Sequence, residues 1–190
     1  MQIGGIQNYS FIDYPGNISC VVFTQGCNFK CSYCHNKQLW EEKEGSIKED
    51  EFFEFLNKRA DFIEAVVISG GEPTMQSTHL LSFVRKIKKL GFKIKLDTNG
   101  SSPETLRIVL PYLDYVAMDI KTCVNAEKYS KVCGANVNIK DIKESMMLIL
   151  KSKIKYHFRT TVDYDLISKE DEEQIKKELG KTIHIFQCKK

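Results

Sequence analysis

Apolar residues recur along this chain with two different periods, and the two periods predict a sheet flanked by helices. Short runs rich in β-branched residues are typical of buried strands, whereas apolar residues three or four positions apart are typical of one helix face. Strands are predicted at residues 18–24, 65–69, 93–97, 115–119, 155–161 and 183–188. Helices are predicted at 78–90, 103–110, 138–150 and 168–179, and a further helix opens with a Ser46–Glu49 capping box.

The alternation of strands and helices predicts a parallel α/β sheet. Near-continuous apolar strands fit a sheet that helices cover on one face, with the other face filled or closed. Periodicity by itself leaves two architectures open, an open doubly wound sheet and a partial (β/α)6 barrel. A length of 190 residues and a hydrophobic fraction of 42% fit a single domain over residues 1–190.

Charge and hydropathy argue against several classes of function. A net charge of +3 is too small to predict nucleic-acid binding. No apolar run reaches about 18 residues, so no membrane span is expected. The first residues lack the basic and apolar segments of a signal peptide, and we expect a cytoplasmic protein. The basic stretch 85–95, which includes Lys95, is interpreted as a solvated helix face followed by a strand.

Polar residues with chemical potential follow the predicted strands, each at the point where a strand ends. The carboxyl ends of parallel strands meet at one edge of a sheet, and ligands bind there in both barrels and open sheets. The sequence therefore predicts one site built from several strand ends. Its candidates are the cysteine segment 27–36, Ser-Gly-Gly-Glu-Pro at 69–73, Asp97-Thr98, Asp119 with Lys121, and Arg159.

The cysteine segment carries three thiols in the spacing C-x3-C-x2-C at Cys27, Cys31 and Cys34. Iron–sulfur clusters usually take four protein thiolates, so three leave one iron open to a ligand that chelates through an amine and a carboxylate. S-adenosylmethionine (SAM) is such a ligand. A structural zinc site with His35 as fourth ligand is the weaker alternative, because zinc ligands usually come as two separated pairs.

The other cysteines are scattered along the chain. Cys20 and Cys188 lie in apolar strand-like runs and are interpreted as small core residues. Cys123 and Cys133 have no partner pair that would predict a second cluster.

The polar residues at the remaining strand ends have structural as well as functional interpretations. The glycines at 70 and 71 could form only a tight strand exit, and Asp97 could be a turn or cap residue. Asp119 and Lys121 are predicted to lie on one strand face within pairing distance. Arg159 in an apolar strand requires a partner or a polar ligand.

The cysteine spacing, with the aromatic Tyr33 before the third cysteine, resembles the signature of the radical SAM superfamily. Segments 11–16 (Phe-Ile-Asp-Tyr-Pro-Gly) and 23–36 look like the branch that activates glycyl radical enzymes. Within that branch the chain resembles anaerobic ribonucleoside-triphosphate reductase activating proteins and is similar to pyruvate formate-lyase activating enzyme. The likeness runs from Ile3 to about Arg159 and implies the partial (β/α)6 barrel of radical SAM enzymes.

The resemblance also implies a role for each candidate residue. Cys27, Cys31 and Cys34 would bind a 4Fe–4S cluster, and Asp13 would lie on the side from which the substrate approaches. The SAM-binding residues would be Gly70, Gly71 and Glu72 for the amino group, Lys121 and Arg159 for the carboxylate, Tyr33 for the adenine, and Asp97, Thr98 and Asp119 for a monovalent cation beside SAM.

The implied activity is reductive cleavage of SAM, followed by formation of a glycyl radical on a partner enzyme. The implied partner is an anaerobic ribonucleoside-triphosphate reductase, and a flavodoxin or ferredoxin would donate the electron. Neither a nucleic acid nor a membrane is an expected partner. Two alternatives stay open, a small radical SAM enzyme that acts on a small molecule, similar to 7-carboxy-7-deazaguanine synthase, and a non-catalytic iron–sulfur or zinc module.

Overall fold

A seven-stranded sheet runs through the computed structural model, which describes residues 1–188. The strands lie side by side in chain order, so each strand pairs with the next one along the sequence. They are β1 (Ile3–Ser10), β2 (Ser19–Thr24), β3 (Ala65–Gly70), β4 (Lys93–Thr98), β5 (Tyr115–Asp119), β6 (Lys155–Val162) and β7 (His184–Cys188).

Six α-helices and three short 3-10 helices connect the strands of the described chain. The α-helices are α1 (Glu49–Asn57), α2 (Ser77–Lys89), α3 (Pro103–Val109), α4 (Ala126–Cys133), α5 (Ile139–Lys151) and α6 (Lys169–Leu179). The 3-10 helices span Lys37–Leu39, Pro73–Gln76 and Leu110–Tyr112. In the described chain, no helix is both long enough and apolar enough to cross a membrane.

The strand order resolves the architecture that periodicity left open. Strands β2 to β7 are all parallel and follow chain order, whereas a doubly wound sheet reverses its strand order at a switch point. β1 pairs antiparallel with β2, and no pairing within residues 1–188 joins β1 to β7. The predicted partial (β/α)6 barrel is therefore confirmed, with one antiparallel strand added at its edge.

The two faces of the sheet differ in polarity, and this difference positions the site. One face carries the fully buried Val22, Ile68 and Leu96, which belong to the same core cluster as the helix residues Phe52 and Phe83. The opposite, inner face has only a small apolar cluster of Tyr14, Val21, Ala65 and Val67. Along β4 to β6 this inner face instead carries charged side chains.

Two elements were missed by the sequence-based prediction. β1 contains two glycines and exposed polar residues, because an edge strand needs little apolar alternation. α4 is short, and its ends are marked by caps rather than by periodicity. The Asn125 side chain accepts from the N–H groups of Glu127 and Lys128, and Gly134 ends the helix at a φ of 58°.

The interpretations of Ser46 and Lys95 were wrong. Ser46 does not cap α1. Its hydroxyl donates to the Gly4 carbonyl, and the Lys48 N–H at the helix start donates to the Glu51 carboxylate. Lys95 is not solvated, because its strand turns the side chain onto the inner face, where the residue is 2% exposed.

Candidate active site

A cavity of about 440 Å³ opens at the carboxyl edge of the parallel strands. This volume lies within the range of roughly 300–1,000 Å³ that is typical of small-molecule sites. All twelve residues predicted to bind the cluster, SAM or a cation line it, as the prediction from strand ends required. They are Cys27, Cys31, Tyr33, Cys34, Gly70, Gly71, Glu72, Asp97, Thr98, Asp119, Lys121 and Arg159.

Backbone hydrogen bonds hold the cysteine loop in place. The N–H groups of Gly26 and Cys27 donate to the carbonyls of Leu39 and Trp40 at 2.9 and 3.1 Å. In the middle of the loop, the N–H of Lys30 donates to the Cys133 carbonyl at the end of α4, at 2.7 Å. The shape of this loop is therefore set by protein contacts at both its start and its centre.

The three thiols of the loop lie in different electrostatic surroundings. Burial raises the pKa of Cys27 to about 12, although the N–H of Phe29 donates to its sulfur. A hydrogen bond with the buried Cys133 side chain lowers the pKa of Cys31 to about 6. The sulfur of Cys34 accepts from the N–H of Asn36 at 3.4 Å. Such N–H donors favour thiolate over thiol, the form in which cysteine binds metal.

Gly70 and Gly71 bring β3 against β2 and the cysteine loop. A Cβ at Gly71 would lie 2.0 Å from the Gly26 carbonyl oxygen, and a Cβ at Gly70 would lie 2.3 Å from the Thr24 nitrogen. Gly70 also adopts a φ of +111°, which side chains rarely allow. Both glycines therefore have a structural reason to be present, in addition to any contact with a ligand.

Glu72 connects two loops of the cavity. Its Oε1 accepts from the N–H and hydroxyl of Thr74 and from the hydroxyl of Thr98, and its Oε2 accepts from the N–H of Asn99 at 2.7 Å. The residue is 1% exposed, and burial raises the pKa of its carboxyl. Its oxygens accept hydrogen bonds from groups of the protein, so a direct bond to the SAM amino group stays a prediction.

Five charged side chains form a continuous array, here called the charge array, across β4, β5 and β6. Lys95 Nζ lies 2.6 Å from Asp97 Oδ1, and Arg159 Nη1 lies 3.3 Å from Asp97 Oδ2. Arg159 Nε bonds Asp119 Oδ1, and Lys121 Nζ lies 2.8 Å from Asp119 Oδ2. The predicted pairing of Asp119 with Lys121 and the predicted need of Arg159 for a partner are thus confirmed.

The charge array carries three cations and two carboxylates, so it has a net charge of +1. Burial would raise the pKa of Asp119, but the positive charges of Arg159 and Lys121 outweigh it and hold that pKa well below the usual range. The carboxylate of Asp119 is therefore ionised at neutral pH. The surplus positive charge lies at the cavity wall, where it favours an anionic ligand group.

The family comparison agrees with this geometry. The sequence profile of the Radical SAM superfamily matches residues 21–180, which include the ends of strands β2 to β6 at the cavity. The chain belongs to the radical SAM superfamily.

Two individual proteins are also similar in sequence to this chain. A protein of Methanocaldococcus jannaschii, provisionally named a glycyl-radical enzyme activating enzyme, is 38% identical over 92% of this chain and 74% of its own length. Pyruvate formate-lyase-activating enzyme of Clostridium pasteurianum is 31% identical over 70% of this chain. This chain spans 57% of that enzyme's length.

A solved structure supports the radical SAM fold. Streptococcus suis SuiB bound to S-adenosylmethionine superimposes with a TM-score of 0.64 at 16% identity, covering 87% of this chain and 39% of SuiB. At this level of identity the likeness extends to the fold alone.

Several residues of this radical SAM site were not predicted from the sequence. Asn99 Nδ2 donates to Asn28 Oδ1 at 2.9 Å and so ties the loop after β4 to the cysteine loop. Cys188, interpreted as a core residue, is exposed at the end of β7 and lines the cavity, so that interpretation was wrong. The sequence signal that could have identified Asn99 is its position directly after Asp97-Thr98. Further lining residues are Trp40, Thr161 and Gln187.

Asp13 is the one candidate that the structure does not bring to the cavity. It lies in the loop between β1 and β2, at the amino ends of the parallel strands, where its carboxylate accepts from the Ser10 hydroxyl at 2.5 Å. The cavity lies at the opposite, carboxyl edge. A contact of Asp13 with a substrate therefore stays a prediction.

Proposed function

We propose that this protein is a radical SAM activase that cleaves SAM reductively and generates a glycyl radical on a partner enzyme. The convergence of three loop cysteines and the charge array on one cavity carries the proposal. Similarity to the M. jannaschii relative supports the activase branch. A bound 4Fe–4S cluster supplies the electron that splits SAM into methionine and a 5′-deoxyadenosyl radical, which takes a hydrogen atom from a glycine of the partner.

Cys27, Cys31 and Cys34 would hold the cluster, and the surroundings of these residues fit that role. Backbone N–H groups point at two of the sulfurs, and these donors stabilise thiolate charge. A zinc site with His35 is the weaker alternative for this loop, because zinc ligands usually come as two pairs separated along the sequence.

The charge array would orient SAM. Lys121 and Arg159 line the cavity and belong to the array with its surplus positive charge, which suits the SAM carboxylate. The backbone of Gly70 and Gly71 lies close to the cysteine loop, where carbonyl groups can accept from the SAM amino group. Fixing both ends of the amino acid moiety positions the bond that is to break.

The residues around the cysteines would keep water away from the reaction. Phe29 and Tyr33 are 3% and 8% exposed, and both belong to the main hydrophobic core. Their burial covers the cysteine loop with apolar surface, which excludes competing hydrogen donors. The reaction takes a hydrogen atom rather than a proton, so it requires no general acid or base.

The proposed protein substrate is an anaerobic ribonucleoside-triphosphate reductase, and the proposed electron donor is a flavodoxin or ferredoxin. The Asp-Tyr-Pro-Gly segment at 13–16 and the His-Asn pair at 35–36 support the activase branch. The curated relatives include activases of another glycyl radical enzyme, pyruvate formate-lyase. An experiment must therefore compare the two partners directly.

The test is anaerobic electron paramagnetic resonance. The cluster is reconstituted and reduced with dithionite, and SAM is added with either the reductase or pyruvate formate-lyase from the same organism. A glycyl doublet on the reductase, with 5′-deoxyadenosine formed, is the expected result. The matched control is Cys31→Ala, which should give neither product.

Other outcomes separate the parts of the proposal. A doublet on pyruvate formate-lyase alone would refute the proposed partner and support the activase assignment. Formation of 5′-deoxyadenosine without a doublet on either enzyme would refute the activase assignment and favour a small-molecule substrate. Absence of both signals, from protein that contains an intact cluster, would refute radical SAM chemistry in this chain.

A further inference from the structure

Every oxygen of the two carboxylates in the charge array already contacts a cationic side chain of the protein. Asp97 Oδ1 and Oδ2 contact Lys95 and Arg159, and Asp119 Oδ1 and Oδ2 contact Arg159 and Lys121. The hydroxyl of Thr98 is also engaged, since it donates to Glu72 at 2.7 Å and accepts from the Gly100 N–H at 3.1 Å. All three residues predicted to bind a monovalent cation are therefore satisfied by groups of the protein itself.

Lys95 is the unexpected member of the array. Lysine is almost never fully buried unless it is paired. The side chains of Lys95 and Asp97 are only 3% and 8% exposed, so Lys95 depends on Asp97 as its partner. Without Lys95 the other four charges would sum to zero, and Asp97 Oδ1 would be a buried oxygen without a cationic partner. A small metal cation is the group that would otherwise restore both the charge and the contact.

We propose that the ammonium group of Lys95 takes the place of a monovalent metal cation, so that this protein binds SAM without one. The inference rests on the proposed function, because SAM is the ligand whose site the array borders. Lys95 is a positioning residue in this scheme. Its ammonium group fixes the position of the Asp97 carboxylate, and Asp97 in turn holds Arg159 toward the cavity.

The first test measures SAM binding to cluster-reconstituted wild-type protein by equilibrium dialysis. Buffers contain choline, sodium or potassium chloride at equal ionic strength, so that screening is the same in each. The expected dissociation constants agree within about twofold, because a cation that does not bind cannot be linked to SAM affinity. Sodium or potassium tightening SAM binding of the wild type by about tenfold or more would overturn the proposal.

The second test uses Lys95→Met, which removes the charge and keeps the length of the side chain. We expect this variant to bind SAM about tenfold more weakly in choline than in sodium or potassium chloride, because a metal cation now fills the empty position. Lys93→Met is the matched control. Lys93 lies two residues earlier on the same strand, is exposed, and bonds Asn17 instead of the array. It should show no cation dependence.

A third measurement needs no cluster. The melting temperature of cluster-free Lys95→Met should rise when choline is replaced by sodium or potassium, whereas that of the wild type and of Lys93→Met should not. Equal cation dependence of the two variants would overturn the role of Lys95. If Lys95→Met does not fold, the wild-type dialysis alone decides. Failure of the wild type to bind SAM in any salt would instead refute the proposed function.

Discussion

The carboxylate of Glu72, on the loop after β3, accepts a hydrogen bond of 2.7 Å from the backbone N–H of Asn99, on the loop after β4. This bond joins two neighbouring walls of the cavity at a point that is closed to solvent. The other oxygen of this carboxylate accepts from the hydroxyl groups of Thr74 and Thr98. A single side chain therefore determines how the two loops meet. Geometry at the cavity therefore depends on Glu72 even without a direct ligand contact.

Replacement of Glu72 with Gln should separate these two loops. The amide keeps only one acceptor oxygen, so in either orientation the N–H of Thr74 or of Asn99 loses its acceptor. A buried donor left unsatisfied costs about 1–3 kcal/mol in the free energy of unfolding. Urea denaturation and SAM affinity would measure the effect. Glu64→Gln is the control, since Glu64 also accepts from a backbone N–H, that of Ile18, but at an exposed position. Equal stability of the two variants would contradict this role of Glu72.

The three-cysteine assignment predicts a sharp division among the cysteines of the cavity. Alanine at Cys27, Cys31 or Cys34 should abolish the broad visible absorption of the reconstituted cluster, because each would remove one ligand. Cys188→Ser should keep it, although Cys188 lines the same cavity. Retention of full absorption by Cys31→Ala, or its loss in Cys188→Ser, would disprove the assignment.

Alanine at Gly71 should destabilise the cysteine loop. The new Cβ would meet the carbonyl oxygen of Gly26 at 2.0 Å, and a backbone atom cannot move aside without shifting the loop. Overpacking of this kind costs about 1–3 kcal/mol. The control is Gly5→Ala, whose Cβ would find only the Phe23 ring at 4.0 Å. Denaturant midpoints of the two variants that agree within error would argue against the close approach.

Much of the site was predictable because catalytic groups of a parallel sheet must emerge at strand ends. The assignments of the six parallel strands and the pairing of Asp119 with Lys121 followed from period and spacing alone. The burial of Lys95 was not predictable, since a lysine that alternates with Ile94 and Leu96 looks the same on a solvated face and on an inner face. The burial of this face in the folded sheet, which the alternation does not encode, distinguishes the two.

The acid sensitivity of the fold should depend on His157. Its ring lies on the inner face, where Nδ1 lies 3.0 Å from the Tyr115 hydroxyl. Burial and the positive charges of Lys95 and Arg159 lower the pKa of His157 to about 4. The unfolded chain, with an ordinary histidine pKa near 6.5, therefore binds the proton first. Stability is fully present above about pH 6.5 and falls as the pH drops toward about 4.

His157→Gln should flatten this part of the pH–stability curve by up to about 3 kcal/mol, which is the size of the pKa difference expressed as free energy. Urea titrations of the cluster-free protein between these pH values would measure the slope. Adding His184→Gln should flatten the curve further, because burial also lowers the pKa of His184 to about 4. An unchanged slope in both variants would rule out the histidines as its source.

The hydrogen bonds that hold the cysteine loop bear on what happens to the protein when oxygen destroys its cluster. Leu39, Trp40 and Cys133 fix the backbone of the loop through their carbonyl groups, and none of these contacts passes through iron or sulfide. After destruction of the cluster by oxygen, we expect the cysteine loop to stay folded. We therefore expect that added iron and sulfide restore the cluster in this loop without unfolding and refolding of the chain.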